Sequence, residues 1–183
     1  ETFNLKTLLK QGFDAIRAGD RNRAETTFQE VLAHAPLNVA ALHQLGLLAR
    51  QDNRIELAIR LLTRAAAAAD NNAAIFLDLA RARHAAQQFV DAAESYQRAL
   101  AIDPTFADAH FELGAVFRSL NRLDDAVAAY CRTVELNPAH AKAFNFLGAT
   151  YIDIQRHTEA EHAFRRAIEL APPVLLDETS MLL

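Results

Sequence analysis

Arg50, His84 and Arg118 follow one another at intervals of 34 residues, and one interval further out in either direction the chain carries Ile16 and Ile152. A guanidinium is planar, permanently charged and able to hold a carboxylate through two parallel N–H donors, so this series has the chemistry of a carboxylate reader. Two more series keep the same interval. Leu9, His43, Leu77, Phe111 and Asn145 precede the first by seven residues, and Phe13, Leu47, Arg81, Ala115 and Ala149 precede it by three. The middle members mix cationic and apolar side chains, a combination suited to an acidic segment with apolar anchors. A second arrangement is open to the same residues: Asp78 can pair with Arg81 on one helix, while Glu112 and Asp108 neutralise the remaining cations internally.

Catalytic and metal chemistry find no comparable constellation. No HExxH, CxxC, glycine-rich phosphate loop or GxSxG occurs in the chain. His157 and His162 are five residues apart and point in different directions on a helix, which argues against a shared metal. Asp124 and Asp125 open a helix, where acidic side chains complement the positive end of the helix dipole. Glu159, Glu161 and Arg165 read as a solvated helical face. Cys131, the one cysteine, has no partner for an internal disulfide and reads as a small packed helix residue. No catalytic residue, no metal site and no cofactor is expected.

The formal charge of -4 argues against a nucleic-acid surface, which needs a basic excess on one face. Residues 1–91 carry 11 Lys/Arg and 10 Asp/Glu, residues 92–183 carry 8 and 13, so the two halves differ as +1 and -5. That asymmetry would favour head-to-tail contacts between copies, or simply mark a solvated surface. Every apolar stretch is interrupted by Arg, Asp, Glu or Asn before it reaches the length of a membrane span, and no membrane insertion is expected. Glu1 in place of Met reads as a processed or cut N-terminus.

The elements that must position the cationic series carry the same period. Gly12, Gly46, Ala80, Gly114 and Gly148 form a small-residue marker; twelve residues after each stand Ala24, Ala58, Ala92, Ala126 and Ala160. Four residues beyond those come Phe28, Leu62, Tyr96, Tyr130 and Phe164, and eight further Pro36, Asp70, Pro104, Pro138 and Pro172. Ala, Leu, Arg and Glu fill the intervals, and apolar residues recur at three and four, as in Leu42, Leu45, Leu48 and Ala49, then Ile55, Ala58, Ile59 and Leu62. Each unit is therefore two amphipathic helices. Gly19-Asp20, Asp52-Asn53 and Asn121 break the pair internally, and the prolines end the second helix. The small markers let the paired backbones approach while the bulky residue fills the adjacent gap.

Leu-Gly at 45-46, 113-114 and 147-148, followed by Tyr151, Ala160, Phe164 and Pro172, resembles the tetratricopeptide repeat (TPR) pattern. The resemblance covers residues 5–174 and implies an all-α, right-handed solenoid of helix-turn-helix units at 5–38, 39–72, 73–106, 107–140 and 141–174. A short extension at 1–4 and a segment at 175–183 lie outside them. The family's early Trp is replaced by Leu8, Leu42, Phe76, His110 and Phe144. In the third unit Arg83 stands where Phe117 and Tyr151 stand later, so an arginine stem or neighbouring side chains must fill that interior. The Ala65 to Ala69 run, followed by Asp70 without proline, is the expected softest joint or else an ordinary Ala-rich helix with a different stop. Val174, Leu175, Leu176, Met181 and Leu182 are expected to cap the last apolar face, or to associate with another copy as the start of a further repeat.

The resemblance also implies that the first helix of each unit lines a concave groove that holds extended or helical peptides. Its side chains lie three before, one after and four after each small marker, which makes His43, Leu47, Arg50, Leu77, Arg81, His84, Phe111 and Arg118 the candidate peptide-binding residues. Two family specialisations do not carry over. At the chaperone-tail carboxylate clamp the matching positions hold Leu9, Phe13, Gln44, Ala74 and Asp78; at the asparagine ladder of O-linked N-acetylglucosamine transferases they hold Lys10, Gln44, Asp78, Glu112 and Phe146. The expected role is a noncatalytic scaffold for a protein or peptide partner. The alternatives are a targeting module of a larger glycosyltransferase-like or sulfotransferase-like enzyme, and self-assembly through the repeat ends.

Overall fold

The computed structural model describes residues 4–171. Among them ten α-helices follow in order: α1 Leu5–Arg17, α2 Arg21–His34, α3 Val39–Gln51, α4 Ile55–Ala68, α5 Ala73–Ala85, α6 Phe89–Ile102, α7 Ala107–Ser119, α8 Leu123–Leu136, α9 Ala141–Asp153 and α10 His157–Leu170. No strand occurs among the described residues. Each helix packs on its neighbours in sequence, and α3 also meets α5 directly, so the odd-numbered helices lie side by side along one wall of an α-solenoid.

The turn inside each pair is made the same way five times. Gly19 (φ 74°), Asn53 (58°), Gln87 (59°), Asn121 (56°) and Gln155 (62°) hold the left-handed backbone conformation, again 34 residues apart. Glycine takes this conformation freely and Asn tolerates it, whereas Gln87 and Gln155 hold it against the Cβ clash because the flanking helices fix the chain direction. Asn4, Asp20, Asn38 and Asn72 then accept backbone N–H bonds at the starts of α1, α2, α3 and α5. Of the expected helix stops, Pro36, Pro104 and Pro138 directly follow the C-caps of α2, α6 and α8. Without a proline, α4 still ends in that register, Ala69 leaving the helix at φ -145°, ψ 74°, and Asn72 capping the next helix.

The close approach at the small markers is measurable. A Cβ built on Gly12 would lie 2.7 Å from the Phe28 ring, on Gly46 2.7 Å from Leu62, on Gly114 2.6 Å from the Tyr130 ring and on Gly148 2.9 Å from Phe164. Phe28, Leu62, Tyr96 and Tyr130 are completely buried behind these markers, each contributing roughly 1.5–3 kcal/mol of apolar burial. Ala80, also fully buried, shows that a methyl fits at this position beside Tyr96. In the third unit the stem of Arg83 does fill the interior: its Nη1 reaches Ser95 Oγ at 2.6 Å and the Asp91 carbonyl at 3.2 Å. Where Phe117 and Tyr151 replace it, Arg122 and Arg156 cover the rings at 4.5 and 4.7 Å. The proposed cap of Val174, Leu175, Leu176, Met181 and Leu182 lies outside the described residues.

Candidate functional site

His43, Leu47 and Arg50 lie on α3, Leu77, Arg81 and His84 on α5, and Phe111 and Arg118 on α7. Spacings of four and three residues place the members of each helix on one face, and adjacency of the odd helices sets the three faces side by side. All eight are half-buried.

Most of their charge is met within the chain. His43 Nε2 lies 2.7 Å from Asp78 Oδ2 across the α3–α5 boundary. Arg81 grips Glu112 of α7 with Nε at 2.8 Å and Nη2 at 2.9 Å, and has Asp78 at 3.7 Å on its other side. Tyr96 Oη donates to the same Glu112 carboxylate at 3.0 Å. The hydrogen bond to Glu112 raises the Arg81 pKa against the opposing effect of burial, and burial, followed by the Glu112 charge, drives the Tyr96 hydroxyl far above its ordinary value. Arg118 reaches Asp153 of α9 at 2.7 Å. The internal pairing of Arg81 with Asp78 and Glu112 is thus realised, while Asp108 is not a groove counter-charge. It sits in the first turn of α7, its side chain is 77% exposed, and its ionic neighbour is His140 at 3.9 Å.

Arg50 differs. It forms no ion pair with any described residue, and its Nε is buried without a hydrogen-bond partner. The position 35 residues on, where Arg118 finds Asp153, is Ala85 for Arg50. His84 packs edge-on against Phe89 with ring centroids 5.7 Å apart. The apolar members remain apolar surface: Leu77 and Phe111 pack on the central core, and Leu47 lines a hollow with Ile16 and Gln44.

The same side of the chain holds a cavity of about 710 Å³ whose lining includes His84, Ala115, Arg118, Tyr130, Phe146 and Asp153. Tyr130 is completely buried, and its hydroxyl has no hydrogen-bond partner among the described residues. Burial pushes that hydroxyl up to about 12, so it is a neutral donor at neutral pH. Phe111 and Phe146 flank its ring at centroid distances of 5.7 and 5.9 Å. Neither Tyr130 nor Phe146 was expected as a site residue, yet the repeat contains the signal. One unit earlier the same three positions hold Arg81, Tyr96 and Glu112; here they hold Ala115, Tyr130 and Phe146.

Among the described residues no group of three or more His, Cys, Asp and Glu could hold a metal ion, and no helix is long and apolar enough to cross a membrane. Asp125 pairs with Arg122 at 2.7 Å in the first turn of α8, and Glu161 with Arg165 at 2.5 Å on exposed α10. Cys131 is half-buried, with Sγ 3.8 Å from the Tyr151 hydroxyl.

A family profile described as "Tetratricopeptide repeat" matches residues 9–74 and 111–174, and one described as "TPR repeat" matches residues 80–118. No curated protein sequence matches. Among solved structures, a crystal structure of MamA is 28% identical, with a TM-score of 0.84 over 87% of this chain and 93% of that one. A second MamA structure is 26% identical, with a TM-score of 0.86 over 91% of each chain. YrrB, a TPR protein with an unusual peptide-binding site, is 20% identical, with a TM-score of 0.86 over 98% of this chain and 93% of that one; at this identity the likeness is one of fold.

Proposed function

Because this chain belongs to the tetratricopeptide repeat family, we propose that it is a noncatalytic protein-interaction scaffold that takes a partner segment along the wall formed by α3, α5 and α7. Leu47, Leu77 and Phe111 supply contact for apolar side chains, and Arg50 supplies the principal cationic contact. The observation that carries this reading is the state of Arg50. Its guanidinium is already partly desolvated, its Nε lacks a partner, and a carboxylate arriving from outside would gain a charge-assisted hydrogen bond without breaking an internal one. Arg81, held by Glu112 and Asp78, shapes the wall and offers less to a ligand.

The segment this groove suits is acidic at one position and apolar at those flanking it. Binding of immobilised acidic and neutral peptide series, measured for the wild type, Arg50→Ala and Arg81→Ala at low and high salt, tests the reading. Arg50→Ala and added salt should each weaken capture of the acidic series. Capture indifferent to Arg50→Ala and to salt would sink the assignment.

A further inference from the structure

The repeat supplies its own control for the cavity beside Tyr130. Between the third and fourth units, Glu112 closes the equivalent space: it accepts from Tyr96 Oη at 3.0 Å and from Arg81 at 2.8 and 2.9 Å, while Arg81 keeps a second carboxylate, Asp78, at 3.7 Å. Between the fourth and fifth units, Phe146 stands at the glutamate's position and Ala115 at the arginine's. Shortening Arg to Ala and removing the acceptor leave a cavity of about 710 Å³ and a completely buried tyrosine whose hydroxyl finds no acceptor among the described residues. A buried unmatched donor costs stability, so its retention beside an open cavity points to an acceptor that comes from outside. Arg118 lines the same cavity and holds one carboxylate, Asp153, at 2.7 Å, where Arg81 holds two.

We propose that this cavity is a carboxylate subsite, in which a carboxylate of the partner segment accepts from Tyr130 Oη and from Arg118, as Glu112 accepts from Tyr96 and Arg81. The proposal rests on the groove reading and adds the chemistry of one subsite. Phe146, 37% exposed and in contact with the Tyr130 ring, is the side chain that turns aside as the guest enters. The carboxylate comes either from an acidic side chain or from a chain terminus, since both present the same two oxygens.

NMR titration of the full chain with three small probes separates these sources. N-acetyl-glutamate amide carries only a side-chain carboxylate, N-acetylglycine only a terminal one, and N-acetyl-glutamine amide none. Saturable shifts at the Ala115 methyl and the Tyr130 ring are expected with one or both carboxylates and not with the glutamine probe. Tyr130→Phe, which keeps the ring, should weaken that binding by roughly tenfold or more, the value of one charge-assisted hydrogen bond. Phe146→Glu should abolish it by supplying an internal acceptor, as Glu112 does for Tyr96. Equal shifts from the glutamine probe, no saturable shift from either carboxylate, or an affinity unchanged in both variants overturns the subsite. The two readings fail separately. Peptide capture that depends on Arg50 but is untouched by Tyr130→Phe removes the subsite and keeps the groove; probe shifts at Tyr130 with no peptide captured remove the groove and keep the subsite.

Discussion

Tyr96→Phe and Tyr130→Phe are the same chemical change at the same register of successive units, and they should have different consequences for stability. Both tyrosines are completely buried, and in both the ring remains while one oxygen is removed. Tyr96 Oη donates to the Glu112 carboxylate, a hydrogen bond to a charged group worth about 1.5–3 kcal/mol net. Glu112 keeps its two guanidinium contacts and is 28% exposed at the side chain, which places the loss near the lower end, about 1–2 kcal/mol. Tyr130 Oη donates to no described residue, so its removal breaks none of their bonds and relieves an unmatched buried donor; the expected change is between zero and about 1 kcal/mol of stabilisation. The two variants should therefore differ by about 2 kcal/mol, or roughly 4–8 °C in Tm for a chain of this size. Urea denaturation followed by circular dichroism, with calorimetry in parallel, reads the difference as a displaced midpoint. The m-values must stay equal for the comparison to hold, since repeat arrays can lose cooperativity. Equal destabilisation of the two variants would refute the reasoning, because it would mean that the Tyr130 hydroxyl has an acceptor in the free protein.

Gly114→Leu should destabilise the chain by roughly 1–3 kcal/mol in the same assay, because the added Cβ alone falls 2.6 Å from the Tyr130 ring and the rest of the leucine must be placed beyond it. A pH dependence follows from His110, half-buried with Nε2 3.1 Å from the Pro104 carbonyl; desolvation depresses its pKa below the ordinary 6.5. The unfolded chain then takes up the proton first as pH falls, so this contribution is intact above 6.5 and is lost as the pH drops through and below that value. His110→Phe, matching Phe76 and Phe144 in register, should flatten that part of the stability profile when urea midpoints are compared between about pH 8 and pH 5.

Much of the architecture was legible because its causes are local. Helix propensity, the three-and-four spacing of apolar residues, Gly19-Asp20 at a turn and Pro104 at a stop all act within a few residues, and a fixed interval repeats them. Which of His43, Leu47 and Arg50 share a helix face was equally accessible, since spacing of three and four residues decides it. Ala69, by contrast, leaves its helix without the proline that marks three other stops, because Asn72 caps the next helix in the same register.

Charge along these faces was harder to read. His43 with Asp78, Arg118 with Asp153 and Arg81 with Glu112 are pairs 35, 35 and 31 residues apart, and nothing in a single helix selects them. They form because adjacent odd helices pack at a distance that long side chains can span, so the pairing follows from how the units stack. The same stacking leaves Arg50 Nε and the Tyr130 hydroxyl, whose ring lies against Phe146, without partners among the described residues. Sequence by itself determined the repeating helix pairs and the faces they present, because short-range sterics and apolar periodicity suffice for that. Which polar groups on those faces are satisfied, and which remain open to a ligand, was decided by tertiary packing, because satisfaction depends on atoms one whole unit away.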